Sequence, residues 1–262
     1  MKKIRSFFGL LFFCLAPVCA QDKTIIYEGT EEIVWAGVDR ASDLMIILKS
    51  GEVQKINKEG KKIGSYLFKT PPTLLDPLDG AQSFYFSRPE NTYGNISSDL
   101  TIATQTPLDP AFAISPWLVC PALHELWILD ATDFSLKKTK LKATAIGFEA
   151  PLNHTPSKRI DDFISLREYQ NYIFLLDKDA GILMFNGLGK YIKTIGEKNI
   201  KYFSFIGEEI YFLSGNEIVL IDLYTDERRT MPLPVSCQFA LLIDDRIYTV
   251  SGKRVAIMEF KP

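Results

Sequence analysis

The sequence predicts an all-β fold made of six repeated sheets, on three observations. The first is an internal repeat. Shifted by 37 positions, "EIYFLSGNEIVLIDL" (209–223) falls without a gap on "RIYTVSGKRVAIMEF" (246–260), with Ile-Tyr on Ile-Tyr and Ser-Gly on Ser-Gly. The second is a period: anchor residues recur at Ile46, Tyr85, Trp127, Phe174, Tyr211 and Tyr248, spaced 39, 42, 47, 37 and 37 residues apart. The third is the texture of each unit. Strand-length runs are β-branched or aromatic and bounded by Gly, Asn or Asp, and no amphipathic stretch is long enough for a helix.

The units follow in order. "LMIILKSGEVQKINKEGKKIGSYLF" is the first, and "SFYFSRPENTYGNISSDLTIATQ" is a degenerate second whose longer turn carries Pro89 and Asn91. "ELWILDATDFSLKKTKL" is the third and "NYIFLLDKDAGILMFNGLGKYIKTIG" the fourth. The fifth shows four strands: "YFSFIG", "IYFLSG", "EIVLIDL" and "RRTMPLP". Four antiparallel strands per unit, set around an axis, make a β-propeller blade. A blade cannot bury both its faces alone, so its neighbours stack on it. That is why these strands are apolar on nearly every residue instead of alternating.

The sixth unit stops at "IMEFKP", three strands in, whereas "DKTIIYEG" (22–29) precedes the first unit with no other role. An N-terminal strand that completes the last blade ties the ring shut and removes an exposed edge. A seventh blade would have to hide between Asp76 and Pro116, where the residues do not suffice. The expectation is a six-bladed β-propeller of four-stranded antiparallel blades, closed by the N-terminal strand completing the last blade. In turns such as "DKDAGILMFNGLGK" the chain resembles propellers of the NHL and YVTN type. With "WAGVD", the "DPLDG" turn and the terminal-strand closure, it is also similar to a group of exported bacterial envelope propellers. The resemblance implies the fold and an envelope setting, and no catalytic residues carry over from it.

The first 20 residues point to export. Lys2, Lys3 and Arg5 precede an uncharged run from Phe7 to Val18, which ends in "VCA" before "QDK". This is the pattern of a secretory signal peptide, with the cut after Ala20. The run is short for a bilayer span, which needs about 20 apolar residues. Cys19 would suit lipidation, but Val18 and Ala16 stand where a small residue and Leu are usual. The expected organisation is a signal peptide over 1–20 and one domain over 21–262. Cleavage takes three of the 30 basic residues and none of the 32 acidic ones, leaving a formal charge of −5. That balance disfavours a nucleic-acid partner.

Chemistry-bearing constellations are sparse. Innermost strands such as "YFSFIG", "QFALLID" and "PWLVCPAL" are nearly all apolar. Only Asp39, Asp76, Asp79, Asp161 and Asp162 offer oxygens near the channel mouths, and a hard cation needs about six. No metal and no other cofactor is expected. His124 and His154 stand in turns without a nucleophile-elbow serine or metal-ligand spacing. Cys120 and Cys237 fall on the inner strands of blades three and six, facing each other across the channel, too far apart for a disulfide and expected as buried thiols. Irregular loops on a rigid ring are where such scaffolds place recognition. Trp35, Asp39, Asp76, Asp79, Tyr93, Trp117 and Arg167 are therefore the candidate contact residues, although Trp35 and Trp117 equally suit packing between blades.

The functional expectation is an exported, non-catalytic propeller, a monomer within a complex, that binds or scaffolds another cell-envelope protein. The alternative is a metal-dependent lactonase-like or phosphotriesterase-like enzyme, or a carbohydrate hydrolase, with a site at the channel mouth. That enzyme would bring at least three inward carboxylates or amides together at one mouth. The scaffold would show an apolar-lined channel and an exposed patch. A sugar-dehydrogenase relative would need a His and Arg cluster that this sequence lacks.

Overall fold

The computed structural model describes residues 23–77, 80–141, 145–153, 157, 159–243 and 246–259. The expected signal peptide with Cys19, and Asp79 and His154, lie outside the described residues. Strand β1 (Lys23–Glu28) comes first. Blade one follows as β2 (Ile33–Val38), β3 (Leu44–Leu48), β4 (Glu52–Ile56) and β5 (Lys62–Leu67), and blade two as β6 (Leu74–Asp76), β7 (Gln82–Ser87), β8 (Thr92–Ser97) and β9 (Thr106–Pro107). Blade three is β10 (Pro116–Ala122), β11 (Glu125–Asp130), β12 (Ser135–Lys140) and β13 (Phe148–Pro151). Blade four is β14 (Phe163–Tyr169), β15 (Tyr172–Asp177), β16 (Gly181–Asn186) and β17 (Tyr191–Ile195). Blade five is β18 (Phe203–Ile206), β19 (Glu209–Ser214), β20 (Glu217–Asp222) and β21 (Arg228–Pro232). Blade six is β22 (Phe239–Ile243), β23 (Arg246–Ser251) and β24 (Arg254–Glu259), with β1 as its outermost strand.

The six anchor residues all lie on the second strand of their blade, and all are buried. Alternate residues of that strand pack to opposite sides. On β15, Ile173 and Leu175 join the core shared with blade three, whereas Phe174 and Leu176 join the core shared with blade five. The interior is thus a series of slabs between blades, and the apolar runs need not alternate because both faces are covered. Two anchor tyrosines also tie adjacent blades through their hydroxyls. Tyr211 accepts the Leu242 N–H at 3.2 Å, and Tyr248 donates to the Ser42 carbonyl at 3.1 Å.

Closure runs through β1, which pairs antiparallel with β24 from Lys23↔Met258 to Glu28↔Arg254. The chain then crosses to blade one, held by Gly29 and Ile33 N–H groups on the Lys253 and Gly252 carbonyls, each at 2.9 Å. Gly60 sits at φ +83, and a Cβ there would stand 1.9 Å from the Ile26 carbonyl oxygen. Only glycine admits this approach of blade one to the closing strand.

In blades one and three, buried charged residues are paired locally, Asp39 with Lys55 and Asp130 with Lys137. In blade three the fully buried Asp130 accepts the Ser115, Ile114 and Thr132 N–H groups and pairs with Lys137 at 2.7 Å. Burial alone would raise the Asp130 pKa, but the Lys137 ammonium and the backbone donors outweigh it and hold the carboxyl below its usual range. Burial likewise works against Lys137, yet Asp130 and Asp133 lift it above the usual lysine value.

Asp130, with a lowered folded-state pKa, contributes stability above its unfolded value that is lost as pH falls below about 4. Lys137, with a raised one, contributes stability below its unfolded value that is lost above about pH 10.4. Thermal unfolding against pH should therefore fall off at both ends, and Asp130→Asn/Lys137→Met should flatten the profile. Lys137→Met alone should cost about 3–5 kcal/mol in chemical denaturation, since it strands a buried carboxylate. Deleting residues 23–28 should shift the chain to aggregates on size exclusion, by baring the edge of β24.

Candidate functional site

The inner strands begin at one face of the ring, which also carries the turns between second and third strands; it is termed the entry face. Register defines a layer inside the channel. The inner-strand residues paired with the six anchors are Ala36, Leu75, Cys120, Arg167, Ser204 and Leu241. Five of these are small or apolar, and Ala36, Leu75, Cys120 and Leu241 pack in the cores between blades; the sixth position carries a long cation, Arg167.

The guanidinium crosses from blade four toward blades five and two. Nη1 donates to the Phe203 carbonyl at 3.3 Å and to Ser204 Oγ at 3.2 Å, whereas Nη2 lies 3.7 Å from Asp76 Oδ1. Both side chains of the ion pair are about nine-tenths buried. The 3.7 Å separation is a Coulombic contact rather than a hydrogen bond. The Tyr202 and Tyr211 hydroxyls reach Ser204, and Tyr202 also reaches Arg167. Burial pushes both phenols up, so they stay protonated. Burial works against the charge on Arg167, but Asp76 more than restores it. The channel lining is thus polar at its centre, which differs from the apolar lining expected for a scaffold.

Above this network a small pocket of about 80 Å³ opens at the entry-face mouth, lined among others by Trp35, Asp76, Ile164, Arg167, Lys201 and Tyr202. Lys201 and Tyr202 also line a second recess on the same face, a cleft of about 500 Å³ between blades five and six that includes Cys237 and Gln238. The two recesses therefore form one continuous surface. Three inner strands bulge at the same register position where they enter: Val34, Trp117 and Ile164 are the extra residues in blades one, three and four. Bulges re-aim side chains, and here they leave Val34 46% and Ile164 39% exposed.

Of the candidates read from the sequence, the structure brings Trp35, Asp76 and Arg167 together at this mouth. Trp35 is half-buried, with its ring laid over Gly37, where a Cβ would stand 2.3 Å from the indole. Asp39 lies at the other end of its strand. It accepts the Ala41 and Asp43 N–H groups and pairs with Lys55 at 2.6 Å, so its carboxylate is committed to a turn. Tyr93 stacks on Phe84. Trp117 packs between blades, donating its Nε1 proton to the Phe163 carbonyl at 2.9 Å under the Arg88 guanidinium, 3.6 Å above its ring. Asp161 and Asp162 are paired with Arg159 and Lys178. Cys120 is on β10 and fully buried; burial, with Asp76 and Glu168 adding to it, pushes its thiol well up. Cys237 is not on an inner strand as expected. It precedes β22, is only half-buried, and no disulfide joins it to Cys120.

Sequence reading missed Lys201, Tyr202 and Ser204. The signal available was register: Ser204, like Ala36 and Cys120, is a small residue at the position where blade four has an arginine. Among the described residues no group of three or more His, Cys, Asp or Glu side chains is placed to hold a metal ion, and no helix is long and apolar enough to cross a membrane. Among the described residues lining the mouth, Asp76 is the one carboxylate.

No protein-family model and no curated protein sequence matches the chain. Solved structures do match in fold. A streptogramin B lyase superposes with TM-score 0.58 at 12% identity, over 92% of this chain and 88% of that one. Virginiamycin B lyase from Staphylococcus aureus gives 0.56 at 12%, over 92% and 99%. YCF48 bound to a D1 peptide gives 0.54 at 8%, over 92% and 97%. At these identities the likeness is one of fold, and it confirms a propeller.

Arg167→Met should cost about 3–5 kcal/mol in denaturant unfolding, because Asp76 is left buried without its counter-charge. Adding Asp76→Leu should recover much of that loss, since the pair is then replaced by apolar groups. Maleimide on the folded chain should modify Cys237 and spare Cys120, with the sites located by peptide mapping. Gly37→Ala should destabilise by about 1–3 kcal/mol, by driving Trp35 off its seat.

Proposed function

We propose that the chain is an exported, non-catalytic propeller that binds another protein of the cell envelope through its entry face. What carries this reading is the continuous recess there. A polar mouth, rimmed by exposed Ile164, runs through Lys201 and Tyr202 into the cleft between blades five and six. A rigid ring holds this surface in one shape, so little ordering entropy opposes association. YCF48, a propeller of the same overall fold, is bound to a D1 peptide, an instance of peptide binding on this scaffold. The exposed apolar side chains of the opposite face, Leu123 with Leu141 beside it, Ile102, Leu188 and Tyr224, are spread over four blades, and scattered apolar residues of that kind are ordinary surface. Export rests on the basic, apolar and small-residue pattern of residues 1–20.

Affinity purification of the tagged protein after crosslinking in living cells should recover one envelope protein in near-equal amount, from the fraction outside the cytoplasm. Recovery from the cytoplasm would remove the export reading, and background proteins alone would count against binding. In the latter case hydrolysis of lactone and phosphotriester substrates becomes the assay of choice.

A further inference from the structure

The geometry points to the chemistry of the bound segment: an extended peptide lying in the cleft between blades five and six, with apolar residues flanking one carboxylate side chain that enters the channel mouth. This rests on the binding reading above and deepens it. A guanidinium offers five N–H donors. The hydrogen bonds of Arg167 to Phe203 and Ser204 use Nη1 and the Tyr202 hydroxyl accepts another, while Nη2 stands 3.7 Å from Asp76, too far for a hydrogen bond, so two of the five N–H groups are left over. An arginine nine-tenths buried thus presents donor capacity toward the pocket above it. Lys201 lines the same pocket, is exposed, and has no ion-pair partner among the described residues. Two cations, Arg167 and Lys201, therefore line the mouth against the carboxylate of Asp76, the one acidic side chain among its described lining residues. An acidic group satisfies the excess; a basic or neutral one does not.

Size and surroundings decide the rest. The mouth, at about 80 Å³, admits a carboxylate group but not a whole drug-sized ligand. The cleft of about 500 Å³ suits several residues of extended chain. The rim beside the mouth is apolar at Trp35 and Ile164, which suits aliphatic neighbours of the acidic residue. Cys237 lies in the cleft, so an occupant there shields its thiol, whereas a free carboxylate confined to the mouth leaves it open.

The test is selection of a random heptapeptide library on the intact chain, followed by anisotropy with the selected peptide and with its acidic residue changed to the amide. Selected sequences should fix one Asp or Glu between apolar residues. The amide should bind about ten- to a hundredfold more weakly, the range for a charge-assisted hydrogen bond in a desolvated site. The peptide should slow maleimide modification of Cys237. Lys201→Met, an exposed change that spares the fold, should weaken binding severalfold and reduce its salt dependence, and Arg167→Met, if folded, should abolish the preference for acid over amide.

Selection without a fixed acidic position, equal binding of acid and amide, or full Cys237 reactivity in the complex overturns the inference. So does glutarate matching the peptide in affinity, which would make the mouth a small-carboxylate site. An envelope partner captured on the entry face together with no acid preference would leave the binding function standing and remove only the ligand chemistry. Acid-selective peptide binding with no partner recovered in cells would do the reverse.

Discussion

A propeller blade is a sheet with two apolar faces, and neither is covered until the ring is complete. Everything else in this molecule follows from that constraint. The pairing of β1 with β24 completes the sixth blade with residues from the opposite end of the described chain. It brings blade six against blade one, whose Ile33, Leu44 and Ile46 then share a core with Leu241, Tyr248 and Val250. Since each slab of core is made from adjacent blades, loss of the closing strand exposes two faces at once and not merely one edge. The register of the inner strands, and hence the contents of the channel, is fixed only in the closed ring.

That register explains how one arginine comes to organise the centre. Six equivalent positions of the inner strands share one level of the ring, and blade-to-blade variation there is the means by which a symmetric scaffold acquires an asymmetric site. Five of them are small or apolar, and the sixth is Arg167. The charge is tolerated because Asp76, the Phe203 carbonyl and Ser204 converge on it from two other blades, and a buried charge without such partners would be expelled or neutralised. Three strand-entry bulges at one register position add a second departure from symmetry, turning Val34, Trp117 and Ile164 out of the regular alternation.

The architecture was largely legible before any coordinates. Period, turn residues and the missing fourth strand of the last unit gave six blades and the closing strand, because local strand pattern and repeat length determine them. The site was legible only in part. Arg167, Asp76 and Trp35 could be singled out one at a time as unusual residues in a repetitive chain. Their meeting depends on which residues of separate blades share a level, and insertions of uneven length between the anchors obscure that. Asp39 shows the reverse problem. From sequence it is an oxygen near a mouth, but its pairing with Lys55 needs the third strand of the same blade to return beside the first turn. Trp117 was open to two readings, and its hydrogen bond to Phe163 and the stacked Arg88 account for it by packing.

The central claim is that recognition takes place on the face where the inner strands begin. It is tested most directly by placing a photo-crosslinking amino acid, one position at a time, at Val34, Ile114 and Ile164 on the entry face and at Leu123, Leu188 and Tyr224 on the opposite face, in living cells. The account predicts one and the same crosslinked protein from the entry-face positions and none from the others. Crosslinks confined to Leu123, Leu188 and Tyr224 would contradict it.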